Sequence, residues 1–267
     1  PLLDETSVEA RMIGAVNAIE VQRALRSTAG PAKLVGHNTD VVGIEKTFRS
    51  MGFSVKGKDC LIWGAGGAAK AVASVLGISE AKSVYIANPR SDRGQILVQK
   101  FQAAFPKTQF MLWDPTQKTP PLSLIVNATP VGMKGTAEDD LFSDGFFKKE
   151  NFITPALAFD LIYNPKDTPF LKKARKAGLP VVGGLGMLID QAIATWEIWC
   201  GPVQDWQKVH DGLNRILLGV LRLSENPSPI FLTGFMGVGK STVAADLAKL
   251  TRRKMVDTDQ LIETKFR

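Results

Sequence analysis

Cys60-Leu61-Ile62-Trp63 runs directly into Gly64-Ala65-Gly66-Gly67-Ala68-Ala69, and that turn runs directly into Lys70-Ala71-Val72-Ala73-Ser74-Val75-Leu76. An apolar strand, a glycine-rich turn and a helix-forming stretch thus follow one another with nothing between them. This is the G-x-G-x-x-A arrangement of a dinucleotide-binding loop, and the flanking strand and helix give the otherwise weak glycine pattern its weight. Each small residue answers a physical need. Gly64 permits the tight turn, Gly66 lets a pyrophosphate approach the backbone, and Ala69 allows the helix to pack closely on the strand, with the anion at the helix N-terminus.

Working outward, the stretch from Asp59 to Val182 repeats one rhythm: a short apolar or β-branched run, a turn signal, then a helical stretch. Strands are expected at 60–63, 83–87, 110–113, 124–126, 157–162 and 180–182. Such alternation predicts an α/β fold with a Rossmann-type doubly wound parallel sheet. The end of the second strand bears on the cofactor. An NAD site places Asp or Glu there to hold the ribose 2′-hydroxyl, whereas this chain has Asn88-Pro89-Arg90-Ser91-Asp92-Arg93. Two arginines suit a 2′-phosphate, so the residues favour NADP over NAD, while Asp92 either faces solvent or weakens that phosphate site.

Composition narrows the class further. Of 267 residues, 45% are hydrophobic and 22% charged, which argues against a disordered chain and a disulfide-dense scaffold. Nothing reads as a membrane span. The two cysteines, Cys60 and Cys200, with no signal peptide before them, suit a reducing cytoplasm. A formal charge of +7 arises from 33 Lys+Arg against 26 Asp+Glu. The basic residues are scattered, with only short clusters such as Lys172-Lys173-Ala174-Arg175-Lys176, and no aromatic-studded basic stripe marks a nucleic-acid partner. A mild positive field favours small anionic ligands instead. The sequence leaves the oligomeric state open.

Two amphipathic helices, at 187–199 and 203–223, follow the sheet and are expected to pack back on the N-terminal piece, which is too small to fold alone. Ser224-Glu225-Asn226-Pro227-Ser228-Pro229 reads as a linker. After it, Ile230-Phe231-Leu232-Thr233 leads as a strand into Gly234-Phe235-Met236-Gly237-Val238-Gly239-Lys240-Ser241-Thr242. This is G-x-x-x-x-G-K-S in its strand-then-helix setting, in which backbone N–H groups cradle ATP phosphates, Lys240 reaches the β/γ oxygens and Ser241 holds Mg²⁺.

The order of several short motifs now carries a resemblance. Gly14-Ala15-Val16-Asn17, Gly36-His37-Asn38-Thr39-Asp40, Gly64-Ala65-Gly66-Gly67-Ala68, Asn127-Ala128-Thr129-Pro130-Val131-Gly132-Met133, Asp160-Leu161-Ile162-Tyr163-Asn164-Pro165 and Gly184-Leu185-Gly186-Met187-Leu188-Ile189-Asp190-Gln191 together resemble shikimate dehydrogenases. The resemblance implies NADPH-dependent reduction of 3-dehydroshikimate to shikimate. It makes Asp40 the catalytic aspartate and Asn17, Asp40, Tyr163 and Gln191 the substrate-binding set. It assigns the cofactor to Gly64, Ala65, Gly66, Gly67 and Ala68 for the pyrophosphate, to Asn88, Arg90 and Arg93 for the 2′-phosphate, and to Leu161 and Gly184 near the nicotinamide. Pro89 stands where the family commonly has Arg, and Ala18 where it has Thr. The family's carboxylate-gripping serines and catalytic lysine are expected upstream of Pro1, so the chain as written is expected to bind NADPH with little turnover.

The second loop, with Val256-Asp257-Thr258-Asp259 behind it, resembles shikimate kinases. That resemblance implies ATP on Gly234, Gly237, Gly239, Lys240, Ser241 and Thr242, Mg²⁺ on Ser241 and Asp257, and the shikimate hydroxyl on Asp259. The implied organisation is a partial substrate domain at 1–47, an NADP domain at 48–185, helices returning to the substrate domain at 186–223, a linker at 224–229 and a partial kinase at 230–267. Each site residue also has a plainer reading: Asn17 and Asp40 as helix caps, Tyr163 as a turn residue, Gln191 as a polar residue on a packed helix, and Asp257 and Asp259 as a strand-end turn. Two other functional readings stay open, an NAD-dependent quinate/shikimate dehydrogenase and a nucleotide-binding module without catalysis.

Overall fold

A computed structural model of the chain describes residues 2–22, 32–88, 91–114, 116, 120–133, 145–225, 240–251 and 255. The chain divides into two units, Pro1–Asn214 and Arg215–Arg267. Among the described residues, no helix is long and apolar enough to cross a membrane.

The first unit opens with a small sheet. β1 (Glu5–Thr6) lies parallel to β3 (Lys33–His37), and β2 (Ala18–Gln22) lies antiparallel on the other side of β3. Between β1 and β2, α1 (Val8–Ile13) starts where the Ser7 hydroxyl accepts the Ala10 N–H at 3.1 Å and stops at left-handed Gly14. That is the usual chemistry of a short helix: an oxygen cap in front and a glycine behind. α2 (Asp40–Ser50) follows β3 and buries Val41, Ile44 and Phe48 along one face.

The second sheet contains the glycine loop. β4 (Asp59–Trp63), α3 (Gly67–Ile78), β5 (Ser83–Ala87), α4 (Ser91–Ala104), β6 (Gln109–Leu112), β7 (Leu122–Asn127), β8 (Phe152–Asp160), α5 (Pro169–Lys176) and β9 (Val181–Gly183) follow in chain order. Strand order is β6-β5-β4-β7-β8-β9, with every pair parallel. The order reverses at β4, so the Gly64 loop leaves the sheet at the switch point where open α/β sheets bind ligands.

The strands are buried on both faces, which is why they read as apolar runs rather than as alternation. Cys60 and Ile62 join a core with Val72, Val75, Leu97 and Phe101. The neighbours Leu61 and Trp63 point the other way, into a cluster with Phe170, Leu171 and Ala174 of α5. Each large aliphatic or aromatic side chain withdrawn this way stabilises the fold by about 1.5–3 kcal/mol.

All six expected strands are present, with displaced ends. Trp113, Leu161 and Ile162 lie beyond their strands, and β8 begins at Phe152. The expected helices are α6 (Leu185–Cys200) and α7 (Trp206–Glu225). Ser224 and Glu225, read as linker, are the last residues of α7. α6 packs on α2 and on β2. A Cβ at Gly43 of α2 would lie 2.7 Å from the Met187 carbonyl oxygen, so glycine sets how closely these helices approach. Trp199 donates its indole N–H to the Ile19 carbonyl at 3.0 Å. Trp206 donates to Asp190 Oδ1 at 2.8 Å, and Lys46 Nζ sits 3.6 Å from the Trp206 ring centre.

In the second unit, α8 (Lys240–Thr251) is the helix expected after the second glycine loop. The strand read at 230–233 and loop residues Gly234, Gly237 and Gly239 lie outside the described residues, as do Asp257 and Asp259.

Candidate active site

At the switch point Gly64 has a φ of +113°, and a Cβ there would meet the Ala128 carbonyl oxygen at 2.8 Å. The chain needs glycine here both for the backbone angle and for the approach of the β7 loop. Its N–H is tied to the Ala87 carbonyl at 2.8 Å. Two residues on, the situation is the opposite: nothing lies within 4 Å of where a Cβ would stand on Gly66 or Gly67. α3 begins behind them with no side-chain cap and no acidic residue in its first turn. An open cradle over uncapped helix N–H groups, with Ala65 and Ala68 flanking it, fits a pyrophosphate.

Asn88 is half-buried just beyond β5, and Arg93 is exposed in the first turn of α4. A Cβ at Gly94 would come 2.8 Å from Leu112 Cδ2 and 3.6 Å from Asn88 Cβ, which seats this turn on the ends of β5 and β6. Asp92 is exposed beside Arg93, and Arg90 lies outside the described residues.

Beyond β8 the backbone is pinned from several sides. Leu161 donates its N–H to the Asn127 carbonyl, and Gly184 donates to the Ile162 carbonyl, both at 3.0 Å. A Cβ on Gly184 would fall 2.0 Å from the Leu161 carbonyl oxygen. Beneath them a buried polar network joins β7 to β8. Asn127 Nδ2 donates to Asp160 Oδ1 at 3.1 Å, the Ile162 N–H donates to the same oxygen at 3.0 Å, and Thr168 Oγ1 donates to Oδ2 at 2.5 Å. Burial pushes the Asp160 carboxyl up to about 6, although all three hydrogen bonds oppose the rise. Asn127 and Asp160 stand within the sequence motifs, but nothing in the sequence marks them as partners.

The polar residues read as substrate-binding come from three elements. Asn17 Nδ2, ahead of β2, donates to Asp40 Oδ1 at the start of α2 at 3.0 Å. Asn17 Oδ1 accepts the Thr39 N–H at 2.9 Å. Asn38 binds the segments together, donating to the Ala15 carbonyl at 3.2 Å and accepting the Asp40 N–H at 3.1 Å. Burial raises the Asp40 carboxyl, with the Asn17 hydrogen bond pulling the other way. Asn17 precedes a strand rather than a helix, and Asp40 sits inside α2, one residue past its N-cap. The capping alternative therefore describes neither side chain.

Gln191 of α6 joins through a residue the sequence reading missed. Thr39 Oγ1 lies 3.2 Å from Gln191 Oε1, 3.3 Å from Asn17 Oδ1 and 3.0 Å from Thr195 Oγ1. The only cue in the sequence was its place inside Asn38-Thr39-Asp40. Gln191 stands seven residues beyond Gly184, about 10 Å along the helix. Tyr163 is 43% exposed after β8 and shares no hydrogen bond with this group.

Several known proteins resemble this chain. Residues 236–267 match the family model for shikimate kinase. The chain is 36% identical over 209 residues to the NADP(+) shikimate dehydrogenase of Citrifermentans bemidjiense, covering 76% of this chain and 67% of that protein. Its fold is similar to that of shikimate 5-dehydrogenase from Thermus thermophilus in complex with NADP(H) and shikimate. The TM-score is 0.62 and the identity 31%, over 80% of this chain and 72% of that one. Quinate dehydrogenase from Corynebacterium glutamicum in complex with NAD aligns with a TM-score of 0.67 and 27% identity, over 80% of this chain and 72% of that one.

Proposed function

The chain belongs to the shikimate dehydrogenase family, and from that membership we propose that the full-length protein reduces the ring ketone of 3-dehydroshikimate to the alcohol of shikimate with NADPH. The observation that carries the proposal is one connected polar group: Asn17 and Gln191 meet at the Thr39 hydroxyl, and Asn17 in turn donates to Asp40. Gln191 lies on the helix whose first turn is locked against Leu161 by Gly184. A polyhydroxy acid needs several fixed donors and acceptors, and this group supplies them.

When bound, NADPH would supply the hydride, and a general acid of the full-length protein the proton that completes the alcohol. The N–H groups behind Gly64, Ala65, Gly66, Gly67 and Ala68 hold the pyrophosphate, and Asn88, Arg90 and Arg93 take the 2′-phosphate. Gly184, having no side chain, and the pinned Leu161 carbonyl shape the nicotinamide end. Asp40 accepts a hydrogen bond from the ring hydroxyl and sets the polarity around the reacting oxygen, with Asn17 fixing the carboxylate in place. Gln191 and Tyr163 contribute further contacts to the ring hydroxyls.

For the second loop we infer a shikimate kinase segment, supported by the family match at its end of the chain. Gly234, Gly237, Gly239, Lys240, Ser241 and Thr242 would hold the ATP phosphates, Ser241 and Asp257 the Mg²⁺, and Asp259 the shikimate hydroxyl. The product of one activity is then the substrate of the other.

Turnover of NADPH with 3-dehydroshikimate by the full-length protein tests the dehydrogenase reading. Asp40→Asn is expected to lower kcat by a factor of about 10² to 10⁴ while NADPH affinity holds, as for loss of an acid–base partner. Unchanged turnover refutes the role. The likeness to the Corynebacterium enzyme favours one rival, NAD-dependent oxidation of quinate. Parallel titrations with NADPH and NADH, and assays on both acids, separate the two.

A further inference from the structure

Thr39 stands at the N-cap of α2, where a threonine hydroxyl ordinarily accepts an N–H of the first turn, yet its hydroxyl makes no capping bond. It reaches instead across the contact between α2 and α6, to Thr195 Oγ1 at 3.0 Å and Gln191 Oε1 at 3.2 Å, and lies 3.3 Å from Asn17 Oδ1 ahead of β2. Thr39 is 2% exposed, so bulk water does not complete the pattern. A hydroxyl has one proton, and three oxygens surround this one.

The neighbouring bonds decide where that proton goes. Gln191 Nε2 donates to the Leu188 carbonyl at 3.1 Å, which fixes the amide with Oε1 toward Thr39. Asn17 Oδ1 already accepts the Thr39 N–H at 2.9 Å. Thr195 spends its own proton on the Gln191 main-chain carbonyl at 2.9 Å, leaving its oxygen as an acceptor. Of the three distances from Thr39, the one to Thr195 is shortest. With the Thr39 proton on Thr195, Gln191 Oε1 has no protein donor among the described residues.

We propose that Thr195 is a positioning residue for substrate recognition: by accepting the Thr39 proton it leaves Gln191 Oε1 ready to accept a hydroxyl of the polyol acid. This rests on the substrate-site reading above. Without the Thr195 hydroxyl, the Thr39 proton turns to Gln191 Oε1 and takes one of that oxygen's two acceptor positions, weakening the bond it offers the incoming ligand.

Thr195→Val, which keeps nearly the same shape, tests this in the full-length protein, with shikimate and NADPH as titrants and 3-dehydroshikimate as substrate. The Kd for shikimate and the KM for 3-dehydroshikimate are expected to rise about tenfold, the scale of one lost hydrogen bond. The effect should fall on KM rather than kcat, leave NADPH affinity unaltered, and be reversed in Thr195→Ser. A KM within about twofold of wild type overturns the proposal, as does an equal loss of NADPH affinity or failure of serine to restore binding. Thr195→Ala serves the same comparison if the valine variant does not fold. If wild type binds NADPH but not shikimate, the substrate-site reading falls, and this proposal with it.

Discussion

Replacing Asp160 by Asn should remove a contribution to stability that wild type gains in mild acid. Asp160 is fully buried, held by donors from Asn127, Ile162 and Thr168, and its carboxyl is pushed up from an ordinary 3.8 to about 6. A carboxyl raised in the folded state binds its proton more tightly there than in the unfolded chain. Its contribution to stability is therefore fully present below about pH 4 and is lost as the pH rises through about 6. The interval corresponds to roughly 3 kcal/mol at about 1.4 kcal/mol per pH unit. Asn at this position does not titrate, and its Oδ1 can still accept from Asn127 and Ile162. Urea unfolding of wild type and Asp160→Asn, followed by tryptophan fluorescence between about pH 4 and 7, gives the difference with other titrating groups cancelled. Wild type should lose roughly 3 kcal/mol relative to the variant across that range. A difference flat to within about 0.5 kcal/mol would refute the account, since burial would then not dominate over the three donors.

Two further substitutions probe the seams. Gly184→Ala puts a Cβ 2.0 Å from the Leu161 carbonyl oxygen, so either β9 or the Leu161 turn must shift. It should cost about 1–3 kcal/mol by thermal unfolding and weaken NADPH binding, and unchanged values for both would contradict the locked turn. Trp206→Phe removes the indole N–H from Asp190 Oδ1, leaving His210 Nε2 at 3.9 Å as too distant a replacement. The buried carboxylate then loses a donor, at a cost of about 1–3 kcal/mol in denaturant melts.

What the sequence discloses depends on how far apart the cooperating residues lie. The strands of the large sheet are legible because both faces are buried and each run is apolar without interruption, as in Leu124-Ile125-Val126. Their ends are not, because Leu161 and Ile162 are apolar yet leave the sheet when their N–H groups turn to the Asn127 carbonyl and the Asp160 carboxylate. The small sheet is hidden for a different reason: β1 has two residues and β2 exposes Ile19 and Val21, so neither shows a buried period. Asn17, Asp40 and Gln191 could be named through family motifs. Thr39 and Thr195 could not be paired, because they meet only through the packing of α2 on α6 that Gly43 allows.

Gly64 and Gly66 stand two places apart for unlike reasons. At 64 the protein itself fills the space where a methyl group would go, whereas at 66 that space is vacant. Folding alone would therefore hold the first position and release the second. A lineage under selection only for a stable scaffold could drift to alanine at 66 at no more than the modest cost of a poorer helix N-cap, and a well-folded descendant carrying that change would be one that had given up its nucleotide.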